Sequence, residues 1–481
     1  MSFIKYLITI ILLLMPWNGN SQGISNLWMS GYYYGTGSPT PRYGGTDINF
    51  ISGYADTTSI ARQMNFSDCH ANICDDAGNL LFYSNGVYIA NANNDTMVNG
   101  SGLNPSQYTT QNLSYGLRIR QGNLILPYPN DSMKYYLIHQ TLFYDQNASD
   151  YKSAEVYYSL IDMSLDGGLG AVIQKNVVLN ADTLNPGAIT ACKHANGRDW
   201  WLVFHKSAGR RYYKYLLTPS GFQGPFVQNI GYSIPVQNDF IWQSCFSPNG
   251  EKFASVMAGD SMNVMNFDRC TGLFSNVVEI SINDSALGRG VAFSPNSNLM
   301  YVSSMKYMYQ FNVYAGNIDS TKIIIGRYDG FADPIPPFYT GFYLSQIGYD
   351  NKIYTNTGNG TQWLMVIHNP DLVGTDCNFL QHGLMLPTYN GLTIPNFPNY
   401  FLGALIGSSC DSLSSSLNDL SGKENQKKLP AVFPKNVKEI DVCDYEATRQ
   451  VKRLPFTYKQ FIETIFLPGY DYNKNVKLTE E

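Results

Sequence analysis

Residues able to do chemistry are thinly spread along these 481 residues, and each cluster of them has a plainer structural explanation. Gly19-Asn20-Ser21-Gln22-Gly23 has the spacing of a nucleophile elbow, which needs a strand before the serine and a helix after it. It lies across an N-terminal leader instead, so the match is accidental. The densest set of candidate metal ligands is Asp68, Cys69, His70, Cys74 and Asp75. Zinc needs such groups converging tetrahedrally. On a strand Cys69 and His70 point to opposite faces, so no metal or cofactor is assigned. Asp75, Asp76 and Asn79 around Gly78 offer the oxygens that calcium takes. The same residue types bond their own backbone in tight turns, and the turn is the preferred reading. His70, His139, His194, His205, His368 and His382 show no spacing to a Ser or Cys that would justify a catalytic pairing. His139 and His205 end equivalent repeat strands, where a structural role is expected. No H-E-x-x-H, phosphate-binding P-loop or C-x-x-C motif occurs, and no catalytic residue is assigned.

Candidates for recognition are of another kind. Tyr32, Tyr33, Tyr34 and Tyr43 stand among Gly, Ser and Pro in one stretch, and Phe338 and Tyr339 in a Pro-rich second one. Arg210, Arg211 and Tyr212 follow Gly209 beside an expected hairpin, and Arg118 and Arg120 form the other compact basic spot. Loops carry function disproportionately, and Tyr and Arg are enriched at binding hot spots. The competing reading is that the rings cover the ends of the fold and the arginines line a solvated strand edge.

Something must hold these residues in place, and the chain's repeats say what. Six segments share one pattern: DDAGNLLFYSNG (Asp75 to Gly86), NDSMKYYLIH, ANGRDWWLVFH, SPNGEKFASV, SPNSNLMYVSS and YDNKIYTNT (Tyr349 to Thr357). Each sets a turn rich in Asn, Asp, Gly or Ser before a burst of strand formers, recurring at roughly 47 to 66 residues, the range of propeller blades. Aromatics are 14% of the chain, with 36 Tyr, and 42 Gly and 23 Pro are spread along it, which favours an all-β fold. The expectation is a β-propeller of seven blades of four-stranded antiparallel sheet, with six and eight also compatible with the spacing. Asn26 to Gly31 and Thr46 to Gly53 read as strands without a turn-and-strand partner before them. An open ring would expose unpaired edges, so closure by N- and C-terminal strands is expected, with Asn399 to Leu402 pairing with Asn26 to Gly31.

The two ends of the chain differ from the middle. Lys5, the apolar run Tyr6 to Met15 and the small residues Gly19 to Ser21 read as a signal peptide, residues 1–21, cut before Gln22. No Cys precedes Cys69, which excludes a lipidated N-terminal cysteine, and no later stretch reaches transmembrane length. The propeller is expected over 22–411, a Ser/Lys-rich linker over 412–430, and a poorly structured or degenerate tail over 431–481. Eight Cys in an exported chain permit disulfides. Cys245 with Cys270 is the pairing expected first, Cys69 with Cys74 second, against buried free thiols in either case. A net charge of −5 gives no broad basic surface, so nucleic acid is not an expected partner.

NLWMSGYYYGTG, DDAGNLLFYSNG, FSPNGEKFASV with FDRCTGLFSN, IGYDNKIYTNT and LTIPNFPNYFLG, in this order, resemble the exported β-propeller region of Bacteroidetes surface proteins. Those proteins commonly end in a gliding-motility-associated or type IX secretion sorting domain. The resemblance covers about Asn26 to Asp411. It implies a secreted or surface-displayed propeller with no catalytic residues to carry over. The sorting domain begins with a segment like YPNP; here Val432 to Asn436 (VFPKN) is a degenerate echo, which points to the periplasm if that signal is nonfunctional. The expected function is a non-enzymatic binding or scaffold protein of the cell surface or envelope, its partner an unknown surface glycan or protein. The alternative is a polysaccharide hydrolase or lyase with acidic residues gathered in the propeller funnel, and a third reading is a remnant of a larger surface protein.

Overall fold

The repeated turn is where the architecture begins. In the computed structural model, which describes residues 23–32, 42–147, 149–235, 241–257, 261–284, 289–334 and 337–411, all six repeats join the first strand of a blade to its second. Five of the six close in the same way: Gly78 N–H donates to the Asp75 carbonyl, Gly197 to His194, Gly250 to Ser247, Ser297 to Ser294 and Asn351 to Gly348, at 2.8 to 3.0 Å. The donor residue has positive φ in each, from 61° at Asn351 to 88° at Gly78, which is why Gly, Asn and Ser recur there. Asp75 spends its carboxylate inside its own turn, accepting from Asn79 N–H and Nδ2 at 2.8 and 2.9 Å.

Seven blades surround one axis. Their channel-side strands are Leu27–Tyr32, Ala71–Cys74, Asn123–Pro127, Thr190–Lys193, Ile241–Phe246, Arg289–Phe293 and Phe342–Ile347. Among the described residues, blades 4 to 7 have four antiparallel strands in sequence order, blade 3 has four and a short fifth, Phe143–Asp145, paired to Asp150–Asp162, and blades 1 and 2 have three. Blade 4, for example, adds Trp200–His205, Gly209–Thr218 and Gly221–Ile234. Each blade is covered on both faces by its neighbours, so second strands such as Trp200–His205 are buried throughout. Aromatic rings fill the seams: Tyr212 of blade 4 meets Phe253 and Phe274 of blade 5 at 5.8 and 5.2 Å.

Blade 1 is different. Gly23 N–H donates to the Asp76 carbonyl, beyond the end of Ala71–Cys74, while the Gly31 carbonyl accepts from Phe66 N–H, ahead of it. Leu27–Tyr32 therefore runs against the other channel-side strands, in the direction of a second strand. That matches the missing turn-and-strand unit before it in the sequence. The ring closes where blade 7 meets blade 1. Thr46 and Thr388 hydroxyls lie 2.7 Å apart, Thr388 donates to the Gly44 carbonyl, and Tyr389 N–H donates to the Arg42 carbonyl. The N-terminal strands and the last strand, Phe379–Asn390, thus close the ring, but the expected pairing of Asn399–Leu402 with Asn26–Gly31 does not occur. Leu27–Tyr32 pairs with Gly44–Asn49, and no strand follows Asn390 among the described residues. Pro395 and Pro398 have no N–H to give a ladder, and the C-terminal segment goes elsewhere.

The described residues belong to a compact unit that ends at Ser412. The expected signal peptide, linker and tail lie outside the described residues.

Candidate functional site

The segment after Asn390 enters the space between the blades and follows the channel-side strands from their starts to their ends. Leu392 N–H and the Thr393 hydroxyl both donate to the Ser67 carbonyl, ahead of blade 2. Midway, Asn396 Nδ2 donates to the Asn123 and Ile189 carbonyls at 3.0 and 2.9 Å. Lower, the Tyr400 hydroxyl donates to the Ile125 carbonyl (2.8 Å) and Asn399 Nδ2 to the Pro248 carbonyl (2.7 Å). At the far end Leu405 N–H donates to the Ala195 carbonyl, and the buried Arg269 guanidinium to the Gly403 carbonyl. A Cys270–Cys410 disulfide, Cα atoms 5.7 Å apart, fixes the segment there. The expected Cys245–Cys270 bridge is thereby corrected. Cys270 lies in the turn between the third and fourth strands of blade 5, where the segment emerges, whereas Cys245 is on the channel-side strand and donates to the Val291 carbonyl. Cys69 and Cys74 are buried free thiols, not a second bridge.

Amide side chains partition the channel. Gln121 Nε2 donates to the Ser244 carbonyl (2.9 Å) and to Asn396 Oδ1 (3.0 Å), and its Oε1 accepts from Ser244 N–H (2.8 Å). Gln243 repeats the pattern one step on: Nε2 donates to the Ser345 carbonyl, and Oε1 accepts from the N–H groups of Val291 and Ser345. Backbone groups facing the channel have no neighbouring ladder, and a buried unpaired one costs as much as a lost hydrogen bond; these amides supply the partners. Above them Arg120 lies 4.4 Å over the Trp242 ring and donates to the Tyr343 hydroxyl. Asp68 is buried near it, its carboxyl pushed up by burial against the opposing pull of Arg120 and Arg118.

Below the amides a funnel of about 610 Å³ opens toward the end where the channel-side strands finish. Its walls are those strands from blades 4 to 7 on one side and Asn396 to Leu402 on the other. Tyr349 and Phe401 stand at its mouth, rings 5.8 Å apart, with Asn351 beside them. Among the described residues no Asp or Glu lines it. The one charged residue among those described in its lining, Lys193, donates to the Gly197 carbonyl and lies 4.8 Å over Trp200. Burial, aided by Arg269, draws its ammonium down to about 8. Two free thiols, Cys192 and Cys245, also face the wall; burial pushes Cys192 up to about 12 and Cys245 further, so neither is a nucleophile at neutral pH.

The recognition candidates read from sequence that the structure describes fall outside this funnel. Tyr32, Tyr43 and Phe338 gather at the seam of blades 7 and 1: Tyr43 meets Tyr32 at 5.5 Å and Tyr389 at 5.2 Å, and Phe338 meets Tyr389 at 6.4 Å. Arg42 ties the group together through Tyr389 and Asp333, at 3.0 and 2.9 Å. Tyr32 and Phe338 are buried, so here the rings cover the end of the fold; Tyr339 is exposed. Tyr33 and Tyr34 lie outside the described residues. Arg210 and Arg211 are exposed on the third strand of blade 4, while Tyr212 is buried with its hydroxyl 3.2 Å from Ser255. His139 is held between Asn104 and Ser159 at 2.7 and 2.9 Å, a structural arrangement. Among the described residues no three His, Cys, Asp or Glu side chains are placed to hold a metal. Sequence reasoning missed Gln121, Gln243 and Asn396. The only pointer was the IPNF segment, which contains Asn396.

No protein-family model and no curated protein matches the chain. Solved structures similar to it are propellers. A candidate 6-phosphogluconolactonase from Bacteroides fragilis is 10% identical, with 78% of this chain and 98% of that one covered at a TM-score of 0.42. The Dos1 propeller is 10% identical, with 78% and 85% covered at 0.43. The Cps50 (Swd1) β-propeller domain of Myceliophteria thermophila is 9% identical, with 70% and 91% covered at 0.36. The likeness to all three is one of fold.

Proposed function

We propose that this protein is exported and works as a non-enzymatic binding or scaffold module of the bacterial surface or envelope, presenting the funnel face to its partner. One observation carries the reading: among the described residues the funnel is walled by amides, hydroxyls and aromatic rings, which suit binding, and not by the carboxylate pair that polysaccharide hydrolysis uses. The Cys270–Cys410 bridge supports export, because disulfides persist in oxidising compartments. So does the signal-like N-terminus. The resemblance to Bacteroidetes surface propellers suggests display through type IX secretion, with the periplasm as the destination if the degenerate C-terminal signal fails.

The test is fractionation of cells expressing the native chain, with mass spectrometry of the N-terminus. The proposal predicts a chain beginning at Gln22 in the envelope or medium, and no release of reducing ends from polysaccharides. An uncut chain in the cytoplasm would overturn export. Saccharide release abolished by a carboxylate substitution would replace binding with hydrolysis or lysis.

A further inference from the structure

We infer that the funnel's ligand is a short neutral oligosaccharide, its apolar ring faces against Tyr349 and Phe401 and its hydroxyls toward the polar wall. The inference rests on the reading of the protein as an exported binding module and names its ligand class.

Three properties of the funnel select that class. Its volume, about 610 Å³, lies within the range of small-ligand sites. Its charge pattern excludes ionic ligands. Among the described residues no carboxylate stands in the lining to meet a cation, and Lys193 is engaged by the Gly197 carbonyl and the Trp200 ring rather than left for an anion. A charged ligand brought into such a wall would lose hydration without a partner. Its surface is mixed, with Ser244, Ser345 and Asn351 at the wall and a pair of aromatic rings at the mouth. Aromatic faces accept flat apolar surfaces, while hydroxyls and amides give and take hydrogen bonds. Neutral sugars carry both kinds of surface in one molecule. The wall is also built rather than incidental. Asn396 and the disulfide at Cys410 hold the segment that forms one side of it.

The experiment applies the purified mature chain, disulfide intact, to an array of neutral, uronic-acid-containing and sialylated oligosaccharides, then titrates the strongest hit by calorimetry. Tyr349→Ala and Phe401→Ala are compared with Tyr144→Ala, an exposed tyrosine of a hairpin in blade 3. The expected result is saturable binding of neutral sugars, weakened at least tenfold by either mouth substitution, unchanged by Tyr144→Ala, with melting temperatures alike. Preference for acidic sugars, or neutral binding indifferent to both mouth substitutions, overturns the inference. Silence on the array from a chain that is exported and cut at Gln22 also overturns it, and leaves the export reading standing. A chain found uncut in the cytoplasm removes the reading beneath it.

Discussion

Asn396 gives one side chain to three partners: it donates to two channel-facing carbonyls and accepts from Gln121. Asn396→Ala would leave the Asn123 and Ile189 carbonyls buried without donors, and is expected to cost about 2–4 kcal/mol, read as a lowered urea midpoint. A midpoint within a few tenths of a molar of the parent would refute its structural role. A second consequence at this scale concerns protons. Burial, the main cause, depresses the imidazoles of His70 and His139 from 6.5 to about 3. In that interval the unfolded chain binds protons that the folded chain refuses. The stability present above pH 6.5 is therefore lost as pH falls toward 3, by about 1.4 kcal/mol per pH unit for each histidine. Urea unfolding at pH 7.5 and pH 5.0 is expected to differ by roughly 4 kcal/mol for the two groups together; equal stabilities would show that these rings are not buried neutral. The role of Asn396 was not legible in the sequence, and for His139 the structural role was expected but its partners were not. A buried Asn bonding carbonyls from two other blades has no local signature, and His139 looks the same in sequence whether it faces a channel or, as here, Asn104 and Ser159.

At the scale of elements, the turn between first and second strands was legible because its chemistry is local. A positive φ demands Gly, Asn or a small polar residue, and the six copies announce it. Gly250 adds a longer-range demand. Its φ is +73°, and a Cβ there would stand 2.7 Å from Arg269 and 2.9 Å from Cys192 and Leu402. Gly209 has a similar φ of +81° with open space around it. Gly250→Ala is expected to cost about 1–3 kcal/mol more than Gly209→Ala, the difference being overpacking beyond shared backbone strain. Thermal melts of the two variants check this, and equal losses would contradict it. The fate of the C-terminal segment was illegible for the converse reason. Its apolar pattern suits a strand, but its two prolines and the amides of Asn396 and Asn399 find partners on blades far away in sequence. The same applies to Cys270: its partner was sought within its own repeat, and lies 140 residues on because the segment emerges beside the turn that carries it.

For the whole molecule, repetition made the propeller legible, and the missing turn ahead of Leu27–Tyr32 marked blade 1 as incomplete. The funnel was not legible, because its lining comes from four blades and a returning segment with no common spacing. The C-terminal segment joins these parts: it runs along the channel, walls the funnel and is locked at its exit by Cys270 and Cys410. Cys410→Ser releases that lock and is expected to lower stability by up to about 5 kcal/mol, the loop-closure value for so long a loop, with urea unfolding as the check. The most direct measurement is peptide mapping of the alkylated, non-reduced protein taken from its native compartment. The predicted result is one linked peptide pair containing Cys270 and Cys410, with Cys69, Cys74, Cys192, Cys245 and Cys377 recovered as thiols. A Cys245–Cys270 link, or Cys270 and Cys410 both alkylated, would contradict it.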